Sequence, residues 1–172
     1  SFTKNLDLFY YELAEHFDKA EEYGKAVVYL EKAGSKARGL FDNNNAAEYY
    51  QKLIHIMENP EYKDNVLDLQ KQKWTTRNKQ ENNKLAAYIS FQSDLGDLYA
   101  ITGKWDHAKE IFKFILPAVK AIDDSLYFAR LCNQYGQIYH LKGNFNKSIN
   151  WLNKGIQVCR KKSKQPKYED TL

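Results

Sequence analysis

The sequence predicts an all-α fold, a right-handed superhelical stack of helical hairpins (an α-solenoid) with about eight helices. Three observations support this prediction. One pattern of small and aromatic residues recurs along the chain, and apolar residues fall at helical spacing between the recurrences. Only 8 Gly and 3 Pro occur in 172 residues, which favours long helices joined by short turns.

The repeated pattern occupies three windows, beginning at Leu13, Leu95 and Tyr135. Small residues recur where the two helices of a hairpin would cross, because a larger side chain would push their axes apart. Aromatic residues recur where they would fill space within and between hairpins, as Phe112 would at the end of the second window. The small columns are Ala14, Gly96, Gly136 and Ala26, Ala108, Ser148; the aromatic columns are Phe17, Tyr99, Tyr139 and Tyr23, Trp105, Phe145.

Helices are predicted over residues 5–20, 23–33, 37–41, 46–57, 85–102, 105–121, 125–141 and 145–162. Gly34 and Ser35 predict a break, and the run from Asp42 to Asn45 predicts a turn with a helix cap. Gly103 and Gly143 are predicted at left-handed positions just after helix ends. Asp123 or Asp124 is expected to cap the seventh helix.

We divide the chain into N-terminal hairpins over residues 1–58, an irregular or linker segment over 59–84, and two hairpins with a basic tail over 85–172. Asn59-Pro60 ends the first part, since a residue before proline avoids the helical region. The three parts are expected to form one continuous solenoid. The pattern is already under way at Leu6, so we interpret the chain as part of a longer protein.

Composition excludes several other classes of protein. The net charge is only +4, and charges of both signs are interspersed through most of the chain, which disfavours a nucleic-acid partner. No apolar run is long enough to cross a membrane. Cys132 and Cys159 are too few for a disulfide framework and are predicted to be buried in a reducing compartment. Composition does not name a compartment, and the default expectation for the location is the cytoplasm.

The second window resembles the tetratricopeptide repeat. The residues that carry the resemblance are Leu95, Gly96, Tyr99, Gly103, Trp105, Ala108 and Phe112. The resemblance implies a scaffold for protein–protein or interdomain interactions, with a protein partner and without a cofactor. The repeat spacing of 40 residues between the last two windows is longer than a minimal repeat of this kind.

The first part of the chain also resembles the helical tail of signalling proteins that carry class III adenylate/guanylate cyclase domains and an AAA-type ATPase module. The resemblance rests on two groups of residues, Ala26, Tyr29, Leu30, Ala33, Gly34, Ala37 and Ala46, Glu48, Tyr49, Tyr50. It implies a regulatory segment of such an enzyme as an alternative function, and a cilium or flagellum as a possible location. The chain itself has no phosphate-binding GxxxxGK[ST] loop.

The first helix of each hairpin is expected to line a concave groove. The candidate binding residues on it are Ser93, Asp97, Arg130, Asn133, Gln137 and His140. The competing interpretation is an ordinary solvated helix face. Asp97 would repel a terminal carboxylate, which disfavours the chaperone-binding mode of tetratricopeptide domains.

No catalytic or metal site is predicted. The four histidines are scattered along the chain; His16 shares a helix face with Glu12, which could suggest a metal pair but is expected to be an ordinary exposed helix pair. No nucleophile lies in a recognisable motif. The basic run from Arg160 to Lys167 complements a helix C-terminus, or else serves an acidic partner or RNA, which makes helical-repeat RNA binding a third function to test. Trp74 and Trp151 fall outside the core columns, and Trp151 is expected to mark a surface that a further repeat or a partner covers.

Overall fold

The computed structural model describes residues 6–62, 66, 79–121 and 125–163. These residues form seven helices and no strand, which confirms the all-α prediction. In chain order the helices are α1 (Leu6–Lys19), α2 (Tyr23–Gly39), α3 (Asn43–Glu58), α4 (Lys79–Ile101), α5 (Trp105–Ala121), α6 (Ser125–Leu141) and α7 (Phe145–Ser163).

The predicted break at Gly34 is wrong, because α2 runs without interruption to Gly39. A Cβ atom on Gly34 would lie only 3.1 Å from the ring of Tyr50, so the glycine allows close packing inside the helix and does not end it. The short helix predicted over 37–41 is the end of α2, which leaves seven helices among the described residues. The aspartate cap at 123–124, Trp74 and most of the 59–84 segment lie outside the described residues, and α4 begins at Lys79, earlier than predicted.

The helix-to-helix turns share one backbone conformation. Gly103 and Gly143 have φ values of 79° and 72°, as predicted, and Glu21 takes the same position in the first window with φ 59°. In each turn the next N–H donates back to the carbonyl of the first aromatic column, over 2.8 Å at Phe17 and 2.8 Å at Tyr139. This is the Schellman arrangement, which satisfies carbonyl groups at a helix end.

The turn before α3 is closed in the same way, and α3 has the predicted cap. Phe41 has φ 61°, and the Asp42 N–H donates to the Ala37 carbonyl over 2.9 Å. Asp42 Oδ1 then accepts from the N–H of Asn45 over 3.2 Å, which satisfies a free donor at the start of the helix.

The small residues lie where helices cross. Ala14, Ala26 and Ala108 are fully buried, and Gly96 is buried within α4. Between α6 and α7, a Cβ atom on Gly136 would lie 2.7 Å from Leu152 Cδ2, and one on Gly155 would lie 3.1 Å from Cys132 Cβ. The Ser148 hydroxyl donates to the Gly136 carbonyl over 2.8 Å, so a polar side chain is accommodated in this crossing.

Lysines lie over aromatic rings at matching places in the first and last hairpins. In the first, Lys25 lies 5.0 Å from the Phe17 ring centre and Lys32 lies 5.0 Å from that of Tyr29. In the last, Lys147 lies 5.5 Å from Tyr139 and Lys154 lies 4.4 Å from Trp151. Each lysine shields a half-buried ring by a cation–π contact.

The chain divides into two compact units, one from Ser1 to Ile111 and the other from Phe112 to Leu172. In the first unit, α2 packs on both α1 and α3, and α3 packs on α4. Its largest fully buried side chains include Leu30, Leu53, Leu85, Tyr88, Ile89 and Leu98.

In the second unit, α6 and α7 form a hairpin around an aromatic centre. The Tyr135 ring lies 4.4 Å from that of Trp151, stacked, and 5.9 Å from that of Phe112, edge-on. Burial, with a smaller effect from Tyr139, raises the pKa of Tyr135 to about 12. Trp151 therefore packs inside its own hairpin and does not mark a separate surface, which corrects the prediction.

Candidate functional site

A groove runs between α6 and α7 on one face of the last hairpin, with a volume of about 350 Å³. We call it the α6–α7 groove; it is lined by Asn133, Gly136, Gln137, His140, Leu141, Ser148 and Leu152. The α6 residues are three or four positions apart and so share one helix face. Space for the groove remains at the helix crossing because Gly136 has no side chain and Ser148 has a small one.

An apolar stripe on α7 continues the groove. Its members lie at i, i+4, i+7 and i+11 and are 37–58% exposed: Phe145, Ile149, Leu152 and Ile156. We call this the α7 stripe. Leu141, at the end of α6, is also 54% exposed beside its start. So many aligned, exposed aliphatic and aromatic side chains are typical of a surface that binds another polypeptide.

Polar groups border the apolar surface. Asn133 and Gln137 are exposed, and each amide offers both donors and acceptors. The His140 ring lies edge-on to the Phe145 ring, with centres 5.5 Å apart, and this contact joins the polar side of the groove to the α7 stripe. The groove thus combines apolar area with hydrogen-bonding groups, which suits polypeptide binding.

The charge of this hairpin is one-sided. Between Ser125 and Ser163 the sequence has seven Lys or Arg residues and no Asp or Glu. The first hairpin has the opposite bias, with seven acidic and five basic residues between Leu6 and Gly39. The last hairpin therefore favours a neutral or acidic partner.

Three of the six predicted binding residues, Asn133, Gln137 and His140, line the α6–α7 groove together. Arg130 is half-buried on α6 and is not among the groove-lining residues. The other two predicted residues, Ser93 and Asp97, belong to the first unit.

Ser93 and Asp97 do not form an open binding surface on α4. Ser93 is only 4% exposed, because it lies on the face of α4 that packs into the first unit. Asp97 lies near Arg38 of α2, with 3.9 Å between its carboxylate and the guanidinium, and Asp94 approaches the same guanidinium to 2.9 Å. These contacts hold α4 to α2, so the expectation of an open surface at Ser93 is corrected.

In the first hairpin, the face that corresponds to the α6–α7 groove is covered by α3. The Tyr11 ring stacks on that of Tyr49, with centres 4.8 Å apart. The Lys52 ammonium forms an ion pair with Glu15 and lies 3.8 Å from the Asp18 carboxylate. Desolvation at this interface lowers the pKa of Lys52. A helix is therefore the element that this kind of hairpin face accepts within the chain.

The sequence interpretation missed the α7 stripe. Its spacing is visible in the sequence, but the same spacing is typical of a buried core face, and only the fold shows that Ser148, Trp151 and Gly155 face α6 instead. The prediction for the cysteines is half right. Cys132 is buried, whereas Cys159 is exposed near the end of α7.

A second cavity, of about 600 Å³, lies at the α1–α2 turn and is lined by Glu21, Glu22, Tyr23, Gly24, Lys25, Glu61 and Tyr62. Two of its acidic groups have partners nearby, since the Tyr23 hydroxyl lies 3.4 Å from Glu61 and Lys25 pairs with Glu22. Among the residues with described positions, no group of three or more His, Cys, Asp or Glu side chains is arranged to hold a metal ion. Within the same residues, no helix has the length and apolar character needed to cross a membrane.

Comparison with known proteins supports the repeat. A family model described as tetratricopeptide repeat matches residues 129–162, which include most of α6 and α7. No curated protein matches the chain. The match and the all-α hairpin fold support a protein-interaction scaffold in general.

Solved structures similar to this chain include BtubC (BKLC) from P. vanneervenii, at 17% identity and a TM-score of 0.44, covering 99% of this chain and 70% of that one. One crystal structure of MamA matches at 18% identity and a TM-score of 0.38, covering 88% of this chain and 97% of that one. Another MamA structure matches at 17% identity and a TM-score of 0.37, covering 98% of each chain.

Proposed function

We propose that this chain is a non-catalytic scaffold that binds a protein partner through the α6–α7 groove and the α7 stripe. The observation that carries the proposal is the row of exposed apolar side chains from Leu141 to Ile156 beside three polar groove residues. Protein interfaces commonly combine an apolar centre with a polar rim in this way.

The polar groove residues would set specificity. Asn133 and Gln137 can pair with backbone or side-chain groups of a partner, and His140 is held against Phe145 at the edge of the apolar surface. A partner that left these groups unpaired on binding would lose about 1–3 kcal/mol for each one buried.

The proposal is tested by pull-down from native extract, followed by mass spectrometry. The chain is compared with the triple variant Asn133→Ala, Gln137→Ala, His140→Ala and with a matched control, Asn150→Ala with Gln157→Ala. The control residues are exposed on α7 and do not line the groove. Partners retained by the wild type and the control, and lost by the triple variant, are expected. Equal retention by all three would contradict the proposal.

A regulatory role in a cyclase- or ATPase-type signalling protein stays a prediction, as do cytoplasmic and ciliary locations. RNA binding is favoured only by the acid-free run from Ser125 to Ser163. The exposed apolar α7 stripe favours protein, since RNA is held chiefly by phosphate contacts and base stacking.

A further inference from the structure

We infer that the α6–α7 groove takes an amphipathic helix of a partner protein, that this helix packs as α3 packs on the first hairpin, and that it places a carboxylate beside Gln137 and His140. The inference rests on the proposed function, because it names the kind of partner for the same groove. Its basis is the structural equivalence of the first and last hairpins of the chain.

The first and last hairpins correspond position by position. Their windows begin at Leu13 and Tyr135, and the same left-handed turn residue and the same closing hydrogen bond follow in both. The lysine–aromatic contacts also recur at corresponding positions, Lys25 with Lys147 and Lys32 with Lys154. A surface that is covered in one hairpin can therefore be compared directly with the exposed surface in the other.

On the first helix of the hairpin, the three groove residues correspond to residues that touch α3. Asn133 corresponds to Tyr11, which stacks on Tyr49. Gln137 and His140 correspond to Glu15 and Asp18, the two carboxylates next to Lys52. Each of the three exposed polar residues of the groove thus occupies a position that meets a helix in the first hairpin.

The second helix of the hairpin shows the same relation. Leu30 is fully buried on α2, which packs on α3, whereas its counterpart Leu152 is 37% exposed. Gly34 lies under the Tyr50 ring, whereas its counterpart Ile156 is 47% exposed. The exposed α7 stripe is therefore the surface on which a helix would complete the packing.

The differences between the hairpins define the chemistry of the occupant. In the first hairpin, two carboxylates on α1 attract the ammonium group of Lys52. At the corresponding positions α6 has the amide of Gln137 and the imidazole of His140, and the last hairpin has no acidic residue. A carboxylate on the docked helix suits that setting better than an ammonium group. Ile156 fills the space that Gly34 leaves open, so the docked helix needs a small residue in place of Tyr50.

The test uses two peptides based on α3, residues 43–58. Both carry Tyr50→Ala and a hydrocarbon staple joining positions 51 and 55, which are exposed in α3, because a peptide this short is barely helical alone. One peptide also carries Lys52→Glu, and the other keeps Lys52. Fluorescence anisotropy at low salt measures binding of each labelled peptide to the full chain. We expect the glutamate peptide to bind about threefold to fivefold more tightly, the size of one favourable exposed charge contact.

Variants of the chain test the location. Leu152→Glu and Ile156→Glu should each weaken binding of the glutamate peptide at least about tenfold, by placing a charge in the apolar interface. Asn150→Glu adds the same charge at an exposed α7 position outside the groove and should leave binding within about twofold, as expected for a screened surface charge. Circular dichroism confirms that each variant is folded, which is expected since the wild-type side chains are exposed.

A charge exchange tests the register. The double variant Gln137→Glu with His140→Asp gives α6 the residues that α1 has at Glu15 and Asp18, and it should prefer the Lys52 peptide to the glutamate peptide. A general loss of structure could not reverse the preference between two peptides.

Four results of the peptide-binding experiments would overturn the inference. They are failure of the glutamate peptide to bind, equal affinity for the two peptides, unchanged binding by Leu152→Glu and Ile156→Glu, and an unreversed preference in the exchange variant. Two further results would also contradict it. If the wild-type chain forms a dimer and Leu152→Glu dissociates that dimer, the groove binds a second copy of the chain. If a labelled single-stranded RNA displaces the peptide and still binds the Leu152→Glu variant, the groove binds RNA. If the peptides fail while the extract pull-down still depends on the groove residues, the helix inference is wrong and the proposed function stands.

Discussion

The residue in the left-handed position of each turn decides how much backbone strain that turn carries. Gly103 and Gly143 occupy this position and have no Cβ atom, so the left-handed conformation costs them little. Glu21 and Phe41 occupy it with a Cβ atom, at φ values of 59° and 61°. We expect Glu21→Gly to raise the free energy of unfolding by about 0.5–1 kcal/mol, because relief of left-handed strain exceeds the added freedom of the unfolded chain. Urea denaturation measures the change. The matched control, Gly143→Ala, should lower stability by about 1 kcal/mol, and a gain there would refute the assignment of strain.

Phe41 carries the same strain and in addition exposes 87% of its side chain. We expect Phe41→Gly to stabilise the chain by about 0.5–1 kcal/mol in the same denaturation experiment, because little burial is lost. A loss of more than about 1 kcal/mol would show that the ring packs against something in solution.

The two thiols should react at very different rates. Burial raises the pKa of Cys132 to about 11, and the side chain is fully buried, whereas Cys159 is exposed. The thiolate is the reactive form, so Cys132 is protected both by its protonation and by its surroundings. Titration with a thiol reagent at pH 8 should show one fast equivalent, and Cys159→Ser should abolish it. A fast equivalent that survives in Cys159→Ser would mean that Cys132 is accessible.

The same buried groups predict a loss of stability at alkaline pH. Burial raises the pKa of Cys132 from 9.0 to about 11 and that of Tyr135 from 10.0 to about 12. A raised pKa means that the neutral group stabilises the fold fully below its unfolded pKa, and that this contribution is lost as pH rises through the folded pKa. Urea midpoints should therefore fall between pH 9 and about 12. The fall should be shallower in Cys132→Ala with Tyr135→Phe, and an identical slope would contradict the assignment.

At the scale of the helices, glycines that look alike in the sequence have different roles. A Cβ on Gly24 of α2 would meet nothing within 4 Å, whereas one on Gly155 of α7 would lie 3.1 Å from Cys132 Cβ and 3.4 Å from the Ala129 carbonyl oxygen. Gly24→Ala should therefore stabilise by about 0.5–1 kcal/mol through helix propensity alone. Gly155→Ala should gain nothing, and Gly155→Leu should cost about 1–3 kcal/mol. Thermal or urea unfolding of the three variants measures the order, and a stabilising Gly155→Leu would contradict the crossing.

The recurring small and aromatic residues predict the hairpins because the helix crossings within a hairpin and the helix ends are determined by residues close together in the sequence. Gly143 is an example, since its turn is determined by local backbone freedom. The break at Gly34 was wrong for a non-local reason. Tyr50, in the next helix, fills the space that the missing side chain leaves, and no local signal announces this contact.

The candidate site was only partly predictable. Helical register places Asn133, Gln137 and His140 on one face, and the structure brings them together in the groove. Register alone does not show which face of α4 is packed, so Ser93 was assigned to an open surface although it is buried. Whether an apolar row such as the α7 stripe is core or exposed likewise depends on where neighbouring helices lie.

At the scale of the whole chain, charge is unevenly divided between the ends. The first hairpin has an excess of acidic residues, and the acid-free run from Ser125 to Ser163 has seven positive charges. Binding of the glutamate peptide should therefore weaken as salt rises from 0.05 to 0.5 M, because ions screen attraction over distances of about 10 Å or more. The Lys52 peptide should show no weakening or should bind better. Titrations at several salt concentrations measure both slopes, and equal slopes for the two peptides would show that attraction by this hairpin is absent.

The lysine–aromatic contacts of the first and last hairpins have a consequence for chemical regulation. Acetylation of Lys147 or Lys154 would remove the charge that lies over Tyr139 or Trp151, and would leave a half-buried aromatic face without its cation. Methylation would keep that charge and enlarge the group that rests on the ring. Because Lys154 lies over the ring of Trp151, we expect acetylation of this lysine to change the fluorescence of that tryptophan.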